Sequence, residues 1–308
     1  MENNQFDVIV LGGGPAGLTA GIYLGRSKAK TLILDTGMPG GQMVLTYEIA
    51  NYPGIESISG YQLASTMKKQ AKNFGCVIKS NIKLSGLQLE GKEKKATIEN
   101  GETFSAPAVI LATGGRSRML NVPGENEFKG RGISYCATCD GDFFQDKEII
   151  VVGGGNSALE EAVALTKYAS KVTILHEFDH FQAFEHAVEE AKANPKIDYI
   201  MEAHITEFYG GESLRGIKYK NLKTGKTFRK NIDGVFIFVG YEANTQALQN
   251  GPVKLNQWNE IITDDNLQTN LTGVFAAGDC RAKRYRQITT AVSDGTVAAL
   301  NALNFIQK

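Results

Sequence analysis

A chain of 308 residues with 42% hydrophobic and 21% charged residues has material for two globular cores and is not a disordered sequence. Its 33 Lys+Arg balance 33 Asp+Glu, so no basic excess points to nucleic acid as a partner. The polar opening MENNQFD is not a secretory signal, no apolar run approaches the roughly 20 residues of a membrane helix, and four cysteines do not make a disulfide scaffold, so the chain reads as cytoplasmic.

Asp7 to Leu11 is an apolar, β-branched run of the kind buried on both faces of a parallel sheet. It leads into Gly12, Gly14 and Gly17 of GGGPAG, then into the helix-like LTAGIYLGRSK, then into a second strand, Thr31 to Leu34, that ends in Asp35. Glycines allow close approach of a pyrophosphate, the helix start offers free N–H groups, and an acid about 20 residues on can accept from a ribose. Cys76 sits in an apolar run and reads as core, and the aromatics Tyr47, Tyr52 and Trp258 read as packing residues.

SYCATCDGDFF places Cys136 and Cys139 in a C-x-x-C turn with Asp140 next. Such turns lower a thiol pKa and favour thiol–disulfide exchange, and a neighbouring carboxyl can carry the protons involved. Two buried thiols or half of a zinc site are the bland alternatives, but Cys76 and Cys280 are isolated and complete no ligand set. Asp142 reads as a solvated turn residue.

The first pattern then recurs. Glu148 to Val152 is a strand, Gly153, Gly155 and Ala158 of GGGNSA follow, LEEAVALTKYA reads as an amphipathic helix, and Lys171 to Leu175 is the second strand. Directly after it comes HEFDH (His176 to His180), a literal match to the H-E-x-x-H pattern of zinc proteases. That pattern needs both imidazoles on one helix face; here His176 closes a strand, so no metal is expected.

In the tail, Val274 to Asp279 reads as a buried strand delivering Asp279 to its C-terminal end, where ligands of open α/β sheets sit. ITTAVSDGTVAALNALNFI closes the chain as a helix. Arg281, Lys283 and Arg284 read as a solvated loop, with steering of an acidic partner as the alternative. The expected fold is α/β: two Rossmann-like, three-layer ββα nucleotide-binding domains, the second inserted into the first. The expected bounds are 1–116 with 246–308, and 117–245, joined through 115–118 and 240–246.

LGGGPAG, GGQ, CATCDG, GGGNSALEEA, VFAAGD and YRQI, in this order over almost the whole chain, resemble the low-molecular-weight thioredoxin reductases. The resemblance implies FAD in the first domain, held by Gly12, Gly14, Pro15, Ala16, Gly17, Asp35, Gly41, Gln42, Asn51, Ala112, Thr113, Gly114, Gly278, Asp279, Arg286, Gln287 and Ile288. It implies that Cys139 faces the flavin, Cys136 attacks the thioredoxin disulfide, and Asp140 is the acid–base partner. It further implies a homodimer whose inserted domain swings between two positions.

One segment departs from that family. NADPH-using members carry His-Arg-Arg and a further Arg after the second strand, where guanidiniums grip the 2′-phosphate. Here those Arg positions hold Glu177, Phe178 and Gln182. Loss of each charge-assisted bond costs roughly 1.5–3 kcal/mol, so NADPH use is not expected, and Gly153, Gly155 and Ala158 mark an altered or vestigial nucleotide site. The pattern resembles ferredoxin-dependent flavin thioredoxin reductases, and Phe178, Phe181 and Phe184 read as crowding the cofactor's place. NADH, with Glu177 as its ribose acceptor, is the second reading. A deazaflavin donor is a more distant one, and a flavin-containing redox sensor is the alternative of another class.

Overall fold

The computed structural model describes residues 4–46, 49 and 51–307. The chain divides into two compact units, Met1–Arg116 with Glu242–Lys308, and Ser117–Tyr241.

In the first unit β1 (Val8–Leu11), α1 (Pro15–Arg26) and β2 (Thr31–Leu34) form a parallel βαβ crossover, with Leu11 opposite Leu34. Helix α2 (Gly60–Asn73), started by a capping box between Ser59 and Gln62, leads to the short edge strand β3 (Val77–Lys79). An antiparallel meander follows, β4 (Leu84–Gln88), β5 (Lys94–Ile98) and β6 (Thr103–Ala106), before β7 (Ala108–Leu111) returns to the parallel sheet.

The chain leaves this unit through β8 (Gly115–Ser117). In the second unit α3 (Glu125–Phe128), β9 (Ile133–Ser134) and the single turn α4 (Ala137–Asp140) precede a second crossover of β10 (Glu148–Val152), α5 (Asn156–Leu165) and β11 (Lys171–Leu175). Then come α6 (Glu185–Ala193), β12 (Ile197–Ile200), the meander β13 (Ala203–Gly210), β14 (Leu214–Asn221) and β15 (Thr227–Asn231), and β16 (Gly234–Ile237). The return strand β17 (Tyr241–Ala243) pairs with β8, so the chain re-enters the first unit as paired strand rather than loose linker, at Glu242 rather than 246. Strand β18 (Val274–Ala276) and α7 (Ile288–Ile306) complete the first unit.

Each unit repeats one layered plan. The parallel sheets run β18-β7-β1-β2-β3 and β12-β11-β10-β16-β9. In β1, Val8 and Val10 pack against Leu18, Met67 and Leu303 of the helical layer, while Ile9 and Leu11 face Leu89, Ala96 and Phe104 on the meander side. In β10, Ile149 and Val151 face the α5 layer, while Ile150 and Val152 face Ile205, Phe208 and Ile217. Alternation between two apolar layers is why these strands read as continuous hydrophobic runs. The fold is therefore α/β with two Rossmann-like, three-layer ββα units.

The strand expected over 274–279 stops at Ala276, because the chain turns at Gly278 with φ 79°. Among the loop aromatics, Tyr47 lies outside the described residues, Tyr52 packs on the first unit's core, and Trp258 is 65% exposed. No described helix is long and apolar enough to cross a membrane.

Candidate active site

Strand register brings the first unit's glycine turn, Asp35, Ala112 and Ala277 to one edge of the sheet, since Leu11 lies opposite both Leu34 and Leu111, and Leu111 opposite Ala276. Helix α1 starts there from Gly14 with Pro15 in its first turn, no side-chain cap and no acid, so its N–H groups and positive dipole end are unspent. Gly17 must be glycine: a Cβ would lie 1.9 Å from the Gly12 carbonyl oxygen. Ala16 is buried behind the turn. A Cβ on Gly14 meets nothing nearer than Gly41 Cα at 3.9 Å, and one on Gly114 meets nothing within 4 Å. That open space beside a helix start fits a pyrophosphate.

The Asp35 carboxylate accepts from the Gly13 N–H, and from the Gly37 N–H at 2.7 Å. It braces the turn and keeps lone pairs for ribose hydroxyls. Gly41 and Gln42 are exposed on the 3-10 turn Gly41–Leu45, and Asn51 is exposed on a shallow hollow lined by residues 51–56. Thr113 and Gly114 follow Ala112 out of β7.

Asp279, Arg286, Gln287 and Ile288 belong to a loop-and-helix wall that the sequence reading described incompletely. Arg281 and Lys283 are not solvated. The Asp294 carboxylate on α7 accepts from Arg281 Nε and Lys283 Nζ, each at 3.0 Å, and from the Gly278 N–H at 3.0 Å. The Lys283 side chain is 8% exposed and lies 3.6 Å from Asp279. Arg284 is exposed, over the Tyr285 ring.

Burial alone would raise Asp294, but its bonds to Arg281 and Lys283 outweigh burial and hold the carboxyl below its ordinary value. Burial raises the Asp279 carboxyl against the pull of Lys283 and Arg286. Arg286 pairs with Glu260, and Gln287 caps α7, which begins at Ile288. The available signal was Asp294 itself, an acid within an apolar helix, which requires a partner. The wall and the turn together fit a dinucleotide. Cys76 is buried and donates to the Gly21 carbonyl, with burial pushing its thiol up to about 11; Cys280 is also buried and likewise raised.

In the second unit Cys136 and Cys139 form a disulfide, with Cα atoms 5.3 Å apart. Cys136 caps α4, and its carbonyl accepts the N–H groups of Cys139 and Asp140 at 3.3 and 3.2 Å. Burial raises the Asp140 carboxyl, Ser134 pulls it back, and Asp142, which is exposed, raises it again. The sequence reading missed Ser134, whose hydroxyl donates to Asp140 Oδ2 at 2.6 Å. A serine two residues before a half-cystine is a usual turn former, and nothing local distinguishes it.

The second glycine turn borders a cleft of about 950 Å³ lined by Gly153, Gly155, Asn156, Ala158, Glu177, Phe178 and Gln182 among others. None of the described lining residues is Lys or Arg. Val152 opposite Leu175 repeats the Leu11–Leu34 register, so the position equivalent to Asp35 belongs to His176 and not to Glu177. His176 is buried, that burial lowers the pKa of its imidazole, and it stacks on Phe181 at 5.7 Å.

Of the three rings expected to crowd the cleft, only Phe178 lines it. Phe181 packs against the α5 layer and Phe184 is 66% exposed, which leaves the cleft open. Residues 176–184 form no helix, His180 is exposed beside Asp179, and no group of three metal-ligating side chains occurs among the described residues.

The chain matches the family model described as Pyridine nucleotide-disulphide oxidoreductase over residues 6–295. It is 43% identical over 311 residues to a thioredoxin reductase of Peptoclostridium acidaminophilum, covering 99% of this chain and 98% of that one. It is 42% identical over 305 residues to a 34.2 kDa protein in the rubredoxin operon of Clostridium pasteurianum, again covering 99% and 98%. A solved thioredoxin reductase from Streptococcus pyogenes MGAS5005 aligns with a TM-score of 0.92 at 39% identity, covering 99% of both chains. With paired nucleotide-type folds and a C-x-x-C disulfide between their glycine motifs, the chain belongs to the pyridine nucleotide-disulphide oxidoreductases, and within them to the thioredoxin reductase family of flavoprotein disulfide reductases.

Proposed function

We propose that this protein reduces thioredoxin through Cys136 and Cys139, holds FAD in its first unit, acts as a cytoplasmic homodimer, and draws its electrons from reduced ferredoxin rather than NADPH. Gly12, Gly14 and Gly17 with Pro15 and Ala16 would receive the pyrophosphate, Asp35 a ribose, and Gly41, Gln42, Asn51, Ala112, Thr113, Gly114, Gly278, Asp279, Arg286, Gln287 and Ile288 the rest of the dinucleotide. When bound, the flavin supplies two electrons to a disulfide. The chain's own work is then thiol chemistry. The Cys136 thiolate attacks one sulfur of the thioredoxin disulfide and expels the other as thiolate. Cys139 attacks Cys136, restoring the protein's disulfide and expelling the second thiolate. Asp140, raised by burial, is the nearby carboxyl suited to carry a proton to a leaving sulfur.

The single observation behind the donor reading is the lining of the second cleft. Among the described residues it offers no Lys or Arg to a 2′-phosphate, and buried His176 stands where a ribose-binding acid would be. NADH is the second reading, favoured by the open volume beside Gly153 to Ala158 and by Glu177 at its edge.

Turnover tests the enzyme reading. With reduced viologen as donor the holoenzyme is expected to reduce thioredoxin catalytically. A protein whose flavin is reduced while thioredoxin stays oxidised is a redox sensor instead.

A further inference from the structure

We propose that Ser134 is a positioning residue that couples the proton on Asp140 to the backbone of Cys136. The inference rests on the reading of Asp140 as proton carrier. Ser134 is 5% exposed and lies on β9, where Phe236 of β16 pairs beside it and fixes its backbone. Its hydroxyl touches both partners: Oγ lies 2.6 Å from Asp140 Oδ2, 3.1 Å from the Cys136 N, and 3.3 Å from the Cys136 carbonyl oxygen.

A serine hydroxyl has one proton to donate. While Asp140 is ionised, that proton goes to Oδ2 and the Cys136 N–H donates to Oγ. Once Asp140 is protonated, its own O–H becomes the donor toward Oγ, and the serine proton turns to the Cys136 carbonyl. The same carbonyl accepts the N–H groups of Cys139 and Asp140, so the turn carrying both sulfurs receives the change. No covalent bond is made, and the single proton involved enters and leaves at Asp140.

Asp142 is the charged group acting on Asp140 among the described residues, and it is exposed. On α5, which packs against α4, Glu161 is raised by burial first and then by its neighbour Glu160. Ser134 stabilises the ionised carboxylate, so its removal makes Asp140 hold its proton to higher pH.

The test is the rate of iodoacetamide alkylation of Cys136 in the reduced holoenzyme as a function of pH, read by mass spectrometry, for wild type, Ser134→Ala, Ser134→Thr and Asp140→Asn. It requires neither thioredoxin nor a physiological donor. An ionised Asp140 disfavours the adjacent thiolate, so its titration appears as a step in the rate. Ser134→Ala is expected to move that step up by about one pH unit, a tenfold change in proton affinity, and Ser134→Thr to return it. Asp140→Asn removes the step. If Asp140→Asn removes it while Ser134→Ala leaves it in place, the role of Ser134 is overturned alone. If the step survives in Asp140→Asn, the proton-carrier reading falls as well.

Discussion

Cys136→Ser and Cys139→Ser are each expected to lose viologen-driven thioredoxin reduction by on the order of 10³-fold or more, because either change removes one half of an exchange that needs both sulfurs. The fold should survive: both side chains are half-buried in a short turn, and serine is nearly isosteric. The variants should differ in what accumulates. Cys139→Ser keeps the attacking thiol but cannot resolve the product, so a mixed disulfide between Cys136 and thioredoxin builds up and is seen by intact mass under non-reducing conditions. Cys136→Ser should build up none. Trapping by Cys136→Ser in place of Cys139→Ser would reverse the assigned roles, and full turnover by either variant would remove the disulfide from the path.

The second large effect concerns the second cleft. Glu177, Phe178 and Gln182 line it, and Glu177 and Phe178 are exposed on the loop after β11. Replacing all three by arginine should create guanidinium contacts for a 2′-phosphate without disturbing the buried sheet. Each charge-assisted bond contributes roughly 1.5–3 kcal/mol. Even with exposure discounting most of that, affinity for 2′,5′-ADP should rise about a hundredfold while that for 5′-ADP changes little. Calorimetry with both ligands checks the prediction. An unchanged ratio means that the loop does not face the phosphate; tight binding of 2′,5′-ADP by the wild type means that it recognises the phosphate without arginine.

Where signals are local, the sequence carried the fold. Lys171–Leu175 and Glu148–Val152 are legible because both of their faces are buried, and the last helix because apolar residues recur along it from Ile288 to Ile306, interrupted on the buried face by Asp294. The start of α5 was less so: the helix reads from Leu159, after the GGGNSA motif, although it begins at Asn156, directly after Gly155.

Nonlocal facts stayed hidden. Arg281 and Lys283 look like a solvated basic loop until α7 is folded back to bring Asp294 to them. Phe184 looks like an obstruction until its ring is seen to stack on His186, outside the cleft. The letters HEFDH carry a metal motif only on a helix; strand register instead sets His176 at the counterpart of Asp35. Periodicity cannot give that equivalence, because it depends on which residue of one strand lies beside which residue of another.

The measurement that tests the account most directly is anaerobic stopped-flow absorbance of the bound flavin, with NADPH, NADH and reduced ferredoxin offered separately and thioredoxin added afterwards. Reduced ferredoxin is expected to bleach the flavin, NADPH at micromolar levels to leave it oxidised, and electrons loaded from ferredoxin then to pass to thioredoxin. Bleaching by NADH alone would establish the second reading. Rapid bleaching by micromolar NADPH would contradict the account at its centre.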